Sequence, residues 1–134
     1  MKINRGEMYW ARLTSTEEHI LGGYHLVVIV QADDANHIEG QRLTIVVPIT
    51  SQVHKYRSGF DVMIPSGIAG LTQDSMAQCQ QVRVLRIDRL CNPKDVIGEI
   101  RPIGTLPDTY MDQNEMNLIF LLGLSTSRAR KDQP

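Results

Sequence analysis

Five consecutive apolar residues, Leu26-Val27-Val28-Ile29-Val30, leave this chain few ways to fold. The run is too short for a helix and shows no polar alternation, so it reads as a strand buried on both faces. Other strands are expected around it. Residues 7–13 are rich in aromatics and alternate in part, which reads as a first strand. Residues 42–49 read as a third, whose Pro48 predicts an end at an edge or bulge. Residues 60–64 form a short strand turned by Pro65-Ser66-Gly67. Residues 75–85 form the next, polar in its middle at Gln78, Gln80 and Gln81. Residues 87–90 suggest one helical turn. Residues 96–106 suggest an irregular strand broken by Gly98, Pro102 and Gly104. The polar stretches 14–23, 32–41 and 51–59 read as loops.

One helix is predicted, over residues 108–122. Pro107 stands at its start, where a missing N–H costs nothing, and Asp108 and Asp112 suit the positive end of the dipole. Met111, Leu118, Ile119 and Leu122 make its apolar stripe, and Gly123 stops it. The expected architecture is a mainly β protein, a small strand-rich barrel over residues 1–124 closed by a C-terminal helix. A polar, basic tail at 125–134 is expected to fray.

The chain has 134 residues, which fits one domain. An apolar share of 42% with 22% charged residues excludes disordered and fibrous classes. Lys and Arg number 14 and Asp and Glu 15, which excludes a protein coated with positive charge but leaves room for a local basic groove. Setting aside the tail's Arg128, Arg130, Lys131 and Asp132 leaves 11 basic and 14 acidic residues in the body. No apolar run approaches the roughly 18 residues of a membrane span, and residues 1–7 lack the apolar core of a signal peptide. The expectation is a cytoplasmic protein without a membrane partner. Cys79 and Cys91 have no CxxC spacing and no histidine cluster nearby, so they are expected reduced and buried, with no metal site. No Walker loop, GxGxxG, HExxH or GxSxG is present.

Candidate chemistry lies in polar residues next to strands. Residues 41–60 contain no acid but carry Arg42, His54, Lys55 and Arg57, with the hydroxyls of Thr44, Thr50, Ser51 and Ser58. This stretch is either a solvated basic loop or a phosphate-binding lip. His25 precedes the buried run and follows Gly22-Gly23-Tyr24. It is either structural or a general acid or base presented at a loop-to-strand junction. Tyr9, Trp10 and Tyr24 either stack on bases or fill a core or interface, the latter favoured for Trp10.

Four segments taken in order resemble the MazF/PemK family of toxins from toxin–antitoxin pairs. They are Arg5-Gly6-Glu7-Met8-Tyr9-Trp10, the stretch Gly22-Gly23-Tyr24-His25 with its apolar strand, Val46-Val47-Pro48-Ile49-Thr50-Ser51-Gln52, and Gly70-Leu71-Thr72-Gln73-Asp74-Ser75 followed by Gln81-Val82-Arg83. The ending Leu121-Leu122-Gly123-Leu124 also fits. The resemblance implies an SH3-like barrel with a C-terminal helix, a fold shared with the CcdB gyrase poisons. It implies a homodimer and a metal-independent endoribonuclease, with no cofactor, that cuts single-stranded RNA by attack of the ribose 2′-OH on the adjacent phosphate. It also implies a cognate antitoxin lying across the RNA groove.

The resemblance breaks at the positions that carry catalysis. His25 stands where the family has an Arg, and Leu26 where it has a Pro, whereas Thr50, partner to that Arg, is kept. Gln78 and Gln80 stand where the PemK/Kid branch places an Arg and an Asp, and neither can carry charge. Arg86 stands at the usual downstream Asp. The implied catalytic pair is therefore His25 and Thr50. The expected RNA contacts are Arg42, His54, Lys55 and Arg57 of the acid-free stretch, together with Ser51, Gln52, Gln78, Gln80 and Arg83, with Arg83 or a loop Arg supplying charge. Three outcomes stay open: an active nuclease working through His25 and favoured by acid, a weak or inactive relative that still binds RNA or an antitoxin, and a CcdB-like toxin acting on gyrase.

Overall fold

The apolar run lies in β2 (Gly23–Ile29), where Val27, Val28 and Ile29 are fully buried. In this computed structural model, which describes residues 1–15 and 17–124, β2 is flanked by β1 (Glu7–Leu13) and β3 (Leu43–Thr50). The basic tail lies outside the described residues. Both pairings are antiparallel, with Trp10 opposite Leu26 and Leu26 opposite Ile49. Successive residues of a strand face opposite sides. Met8, Val28, Val47 and Ile49 accordingly pack into one core, and Tyr9, Ala11, Val27, Ile29 and Val46 into another.

β3 is the hub of the sheet. Its first half pairs with β6 (Arg83–Arg86) and its end with β5 (Ser75–Gln78), which in turn pairs with β4 (Asp61–Ile64). The two-residue strands β7 (Leu90–Cys91) and β8 (Gly104–Thr105) both pair with β1. Every pairing is antiparallel. Helix α2 (Asp108–Leu122) follows β8 and ends at Gly123, whose φ of 68° only glycine adopts at little cost. The described residues thus form a mainly β fold, a curved antiparallel sheet with a C-terminal helix.

Several expectations are corrected. Pro48 is not at an edge but buried in mid-sheet, opposite Val27. It is tolerated because β3 changes neighbours there: Val46 is the last residue paired with β6 and Ile49 the first paired with β5. The single strand expected at 75–85 is two strands parted by a 3-10 turn, Cys79–Gln81. The polar glutamines that interrupt the apolar pattern mark that break. Residues 96–106 contribute only β8. Residues 92–101 are instead tied together by Asn92, which donates from Nδ2 to the carbonyls of Gly98 and Glu99 and accepts the Arg101 N–H at 3.1 Å. The helical turn at Ile87–Arg89 is present as 3-10, and β7 after it was not expected. The stretch 32–41 holds a short helix, α1 (Asp33–Asn36).

Helix α2 has the expected bounds but not the whole expected stripe. Met111 is buried and Leu118 and Ile119 half-buried, whereas Leu122 is 59% exposed. The inner face instead includes the polar Asn114, which accepts the Cys79 thiol at 3.2 Å and donates to the Tyr110 carbonyl at 2.9 Å. A buried amide so satisfied does not destabilise the helix, and apolar periodicity alone does not reveal it.

Candidate functional site

A groove of about 550 Å³ opens near the ends of β2 and β3. His25 and Leu26 of β2 line it, as do Ile49 and Thr50 of β3 and the following Ser51 and Gln52. Gly70, Leu71, Thr72 and Gln73 face them, and Trp10, Tyr24 and Pro93 wall it at the side of β1. The lining residues include no Asp, Glu, Lys or Arg. Whatever binds there meets hydroxyls, amides, one imidazole and aromatic rings.

The β2–β3 register sets the polar centre. Leu26 lies opposite Ile49, which brings the next residues along, His25 and Thr50, level with each other. His25 is half-buried, and its Nε2 is 3.0 Å from the Gly22 carbonyl. A carbonyl only accepts, so Nε2 carries a hydrogen and, in the neutral ring, Nδ1 keeps its lone pair. Thr50 Oγ1 accepts the Gln52 N–H at 3.2 Å, and this bond leaves its own hydroxyl hydrogen available to a ligand.

The loop before His25 is held from β6. Arg83 donates to the Leu21 carbonyl and to Oε1 of Gln81, and Gln81 donates to the His19 carbonyl and accepts the Leu21 N–H at 3.2 Å. Arg83 is thereby anchored under the loop rather than presented to the groove.

Of the residues singled out from sequence, the groove gathers His25, Thr50, Ser51 and Gln52. Arg42 stands at the opposite end of β3, about 20 Å or more away by strand rise, beside a second cavity it shares with Arg86 and Asp88. The acid-free stretch 41–60 is therefore not one continuous lip. His54 and Lys55 are exposed on the 3-10 turn Val53–Lys55 that follows Gln52. Arg57 lies 4.2 Å over the Phe60 ring and donates to Gln80 Oε1 at 2.9 Å, while its backbone N–H donates to Asp61 at 2.8 Å. Gln78 lies opposite Asp61, with its Oε1 buried and unpartnered among the described residues. Neither glutamine lines the groove.

The aromatic residues separate in the same way. Tyr9 is core, and burial together with the neighbouring Glu7 raises its phenol pKa well above the ordinary range. Trp10 and Tyr24 stack, with ring centroids 4.6 Å apart and planes within 7°. Burial and the adjacent Cys91 thiol raise the Tyr24 pKa, against a lowering by Arg12. Cys91 is half-buried rather than buried, whereas Cys79 is fully buried and its thiol is pushed up to about 11 by burial.

Sequence reasoning missed the far wall. Gly70 to Gln73 carried part of the family resemblance but no role. The wall is pinned where two glycines let the backbones touch. A Cβ on Gly104 would lie 2.2 Å from the Ala69 carbonyl oxygen, and one on Gly70 2.6 Å from that of Ile103. Among the described residues, no group of three or more His, Cys, Asp or Glu is placed to hold a metal, and no helix is long and apolar enough to cross a membrane.

Comparison with known proteins places this geometry. Residues 4–122 match the family described as PemK-like, MazF-like toxin of type II toxin–antitoxin system. The Bacillus subtilis protein named endoribonuclease EndoA is 30% identical over 124 residues, which is 92% of this chain and 97% of that one. Among solved structures, MazF (Form-I) from Deinococcus radiodurans matches with a TM-score of 0.70 at 19% identity, over 92% of this chain and 98% of that chain. The MazE–MazF structure (Form-II) from the same organism matches at 0.67 and 21%, over 93% and 99%. These structures share the fold, and the match over 4–122 settles the lineage: the chain belongs to the PemK/MazF family of toxins of type II toxin–antitoxin systems.

Proposed function

We propose that the chain is a toxin-type endoribonuclease that cuts single-stranded RNA without a metal, with His25 and Thr50 at the reacting phosphate. One observation carries this reading: His25 and Thr50 stand level on adjacent strands in one groove, and histidine is the residue type suited to proton transfer among the described residues lining it. The Bacillus relative bears the name endoribonuclease, which supports the reaction class.

In the neutral ring, Nδ1 takes the proton of the ribose 2′-OH as that oxygen attacks phosphorus. The P–O5′ bond breaks, and the departing oxygen receives a proton from a donor in the groove or from solvent. The products are a 2′,3′-cyclic phosphate and a 5′-hydroxyl. The Thr50 hydroxyl, the Ser51 hydroxyl and the Gln52 amide donate to the phosphate oxygens as their charge grows. His54 and Lys55, next along the chain, receive the following phosphate.

Partners follow from the family. The Deinococcus structure pairs MazF with MazE, and we assign this chain an antitoxin whose segment occupies the same groove, a second copy of itself as partner, and a cytoplasmic location.

A second reading, a relative that binds RNA without cutting it, is favoured by the uncharged lining. Neutral histidine offers one donor where a guanidinium offers a charged fork. The test is incubation of a defined single-stranded RNA with the protein in excess, mapping of the cut ends and assay for the cyclic phosphate. His25→Ala is expected to lower cleavage by about 10²–10⁴-fold and Thr50→Ala by about 10²-fold. No cleavage at any pH between 5 and 8 overturns the nuclease reading, and growth arrest with broken DNA and intact RNA points to gyrase instead.

A further inference from the structure

We propose that Arg12, Tyr24 and Trp10 form a nucleotide-positioning strip beside the groove, in which one RNA base stacks on the Tyr24–Trp10 pair and the neighbouring phosphate meets Arg12. The inference deepens the reading of the groove as an RNA site and rests on it.

The strip follows from register. Arg12 lies opposite Tyr24 and Trp10 opposite Leu26, so by strand alternation all four side chains belong to one face of the β1–β2 ladder. On that face the diagonal neighbours Trp10 and Tyr24 come within reach of each other. They do so as a parallel stack, 4.6 Å between centroids. Both rings line the groove, and Tyr24 remains 39% exposed. Tyr24 thus keeps surface open beside the stack.

The platform is also rigid. The Tyr24 hydroxyl donates to the Asn92 carbonyl. Asn92 in turn fastens its loop through the carbonyls of Gly98 and Glu99 and the Arg101 N–H. A ring fixed before binding loses little conformational entropy when a base lands on it. The loop at 92–101, which has little regular structure, thus buttresses one aromatic ring, and its Pro93 adds to the same wall.

The strip supplies what the groove lacks. The lining has no cation, while Arg12 is exposed directly across from Tyr24. A base on an aromatic face with a guanidinium beside the backbone is how single strands are held without reading their sequence. The stack also predicts a preference: a purine covers more of the ring than a pyrimidine.

The probe is a short single-stranded RNA, 2′-O-methylated throughout so that it cannot be cut, with 2-aminopurine placed at each position in turn. Binding is expected to quench the fluorescence of one position. Tyr24→Leu is expected to abolish that quenching and weaken binding by about tenfold or more, with the native circular dichroism spectrum kept at the assay temperature. Tyr24→Phe keeps the ring and is expected to stay within about threefold. Arg12→Gln is expected to reduce the slope of log affinity against log salt by about 0.7, the value for one phosphate on a single strand. Quenching at no position, or Tyr24→Leu binding within twofold of the parent, overturns the strip. Parallel incubation with unmodified RNA separates the two claims: binding and quenching without cleavage retain the strip and sink the nuclease, and cleavage indifferent to Tyr24 does the reverse. Absence of binding overturns the strip, and absence of binding together with absence of cleavage overturns both.

Discussion

Arg83 donates from Nη1 to the carbonyl of Leu21 at 2.7 Å, across 62 residues of chain. Leu21 adjoins Gly22, and the Gly22 carbonyl takes the ring N–H of His25. A β6 side chain thus fixes the orientation of a β2 imidazole through two backbone positions. On the proposed reading Arg83 therefore acts as a positioning residue, through His25. Arg83→Gln is expected to lower kcat about tenfold with KM nearly unchanged. Arg83→Lys, which keeps one donor and the charge, is expected to recover part of the loss. Steady-state kinetics from pH 5 to 8 check this. Equal loss in both variants, with kcat and KM affected together, would point to a general folding defect.

Asp61 gives a stability prediction with a definite sign. Burial raises its pKa, against lowering by the Arg57 N–H and the Arg57 charge. A raised carboxyl means that the folded state holds the proton more tightly than the unfolded chain. Stability from this group therefore falls as pH rises above the ordinary value of 3.8. Asp61→Asn removes the titration and keeps an oxygen for Arg57. The Tm of the variant minus that of the parent is expected to be more positive at pH 7 than at pH 4, by about 2 °C or more. An equal difference at both pH values would contradict the assignment.

The two cysteines are expected to react very differently. Cys79 is fully buried against Asn114, and its thiol is pushed up to about 11, so almost none is ionised at neutral pH. Cys91 is half-buried beside Tyr24. A thiol reagent added to native protein is expected to label one site, found at Cys91 by peptide mapping, and both after unfolding. Rapid labelling of Cys79 in the native state would contradict the packing of α2.

Gly104→Ala tests the crossing that pins the groove wall. The new Cβ meets the Ala69 carbonyl oxygen, a backbone atom that no side-chain rotation can move aside. A destabilisation of about 1–3 kcal/mol is expected, accompanied by weaker RNA binding because Leu71 and Thr72 shift with the wall. Denaturant unfolding and binding of uncleavable RNA measure the two effects.

The elements most legible in the sequence were those governed by local signals. Glu7–Leu13 and Asp108–Leu122 have the bounds expected from alternation, from Pro107 and from Gly123. Errors arose where a distant partner decided the outcome. Pro48 reads as an edge signal on its own, and only the exchange of β6 for β5 along β3 shows how a central strand tolerates it. Gly104 reads as a strand breaker, although its role is to admit Ala69. Of the site, His25 and Thr50 were legible through family resemblance, since their pairing depends on a register that no local pattern states. The cations at 41–60 looked contiguous because they are so in sequence, but a strand about 20 Å or more long separates Arg42 from Ser51.

The uncharged lining of the groove also bears on kinetics. With an acidic excess over residues 1–124 and no cation among the described residues lining the groove, this part of the chain exerts little long-range pull on a polyanion. Encounter then proceeds near the unsteered rate of about 10⁵–10⁶ M⁻¹s⁻¹ rather than near the diffusion limit. On the proposed reading the toxin meets RNA slowly, and an antitoxin that captures it quickly has time to intervene.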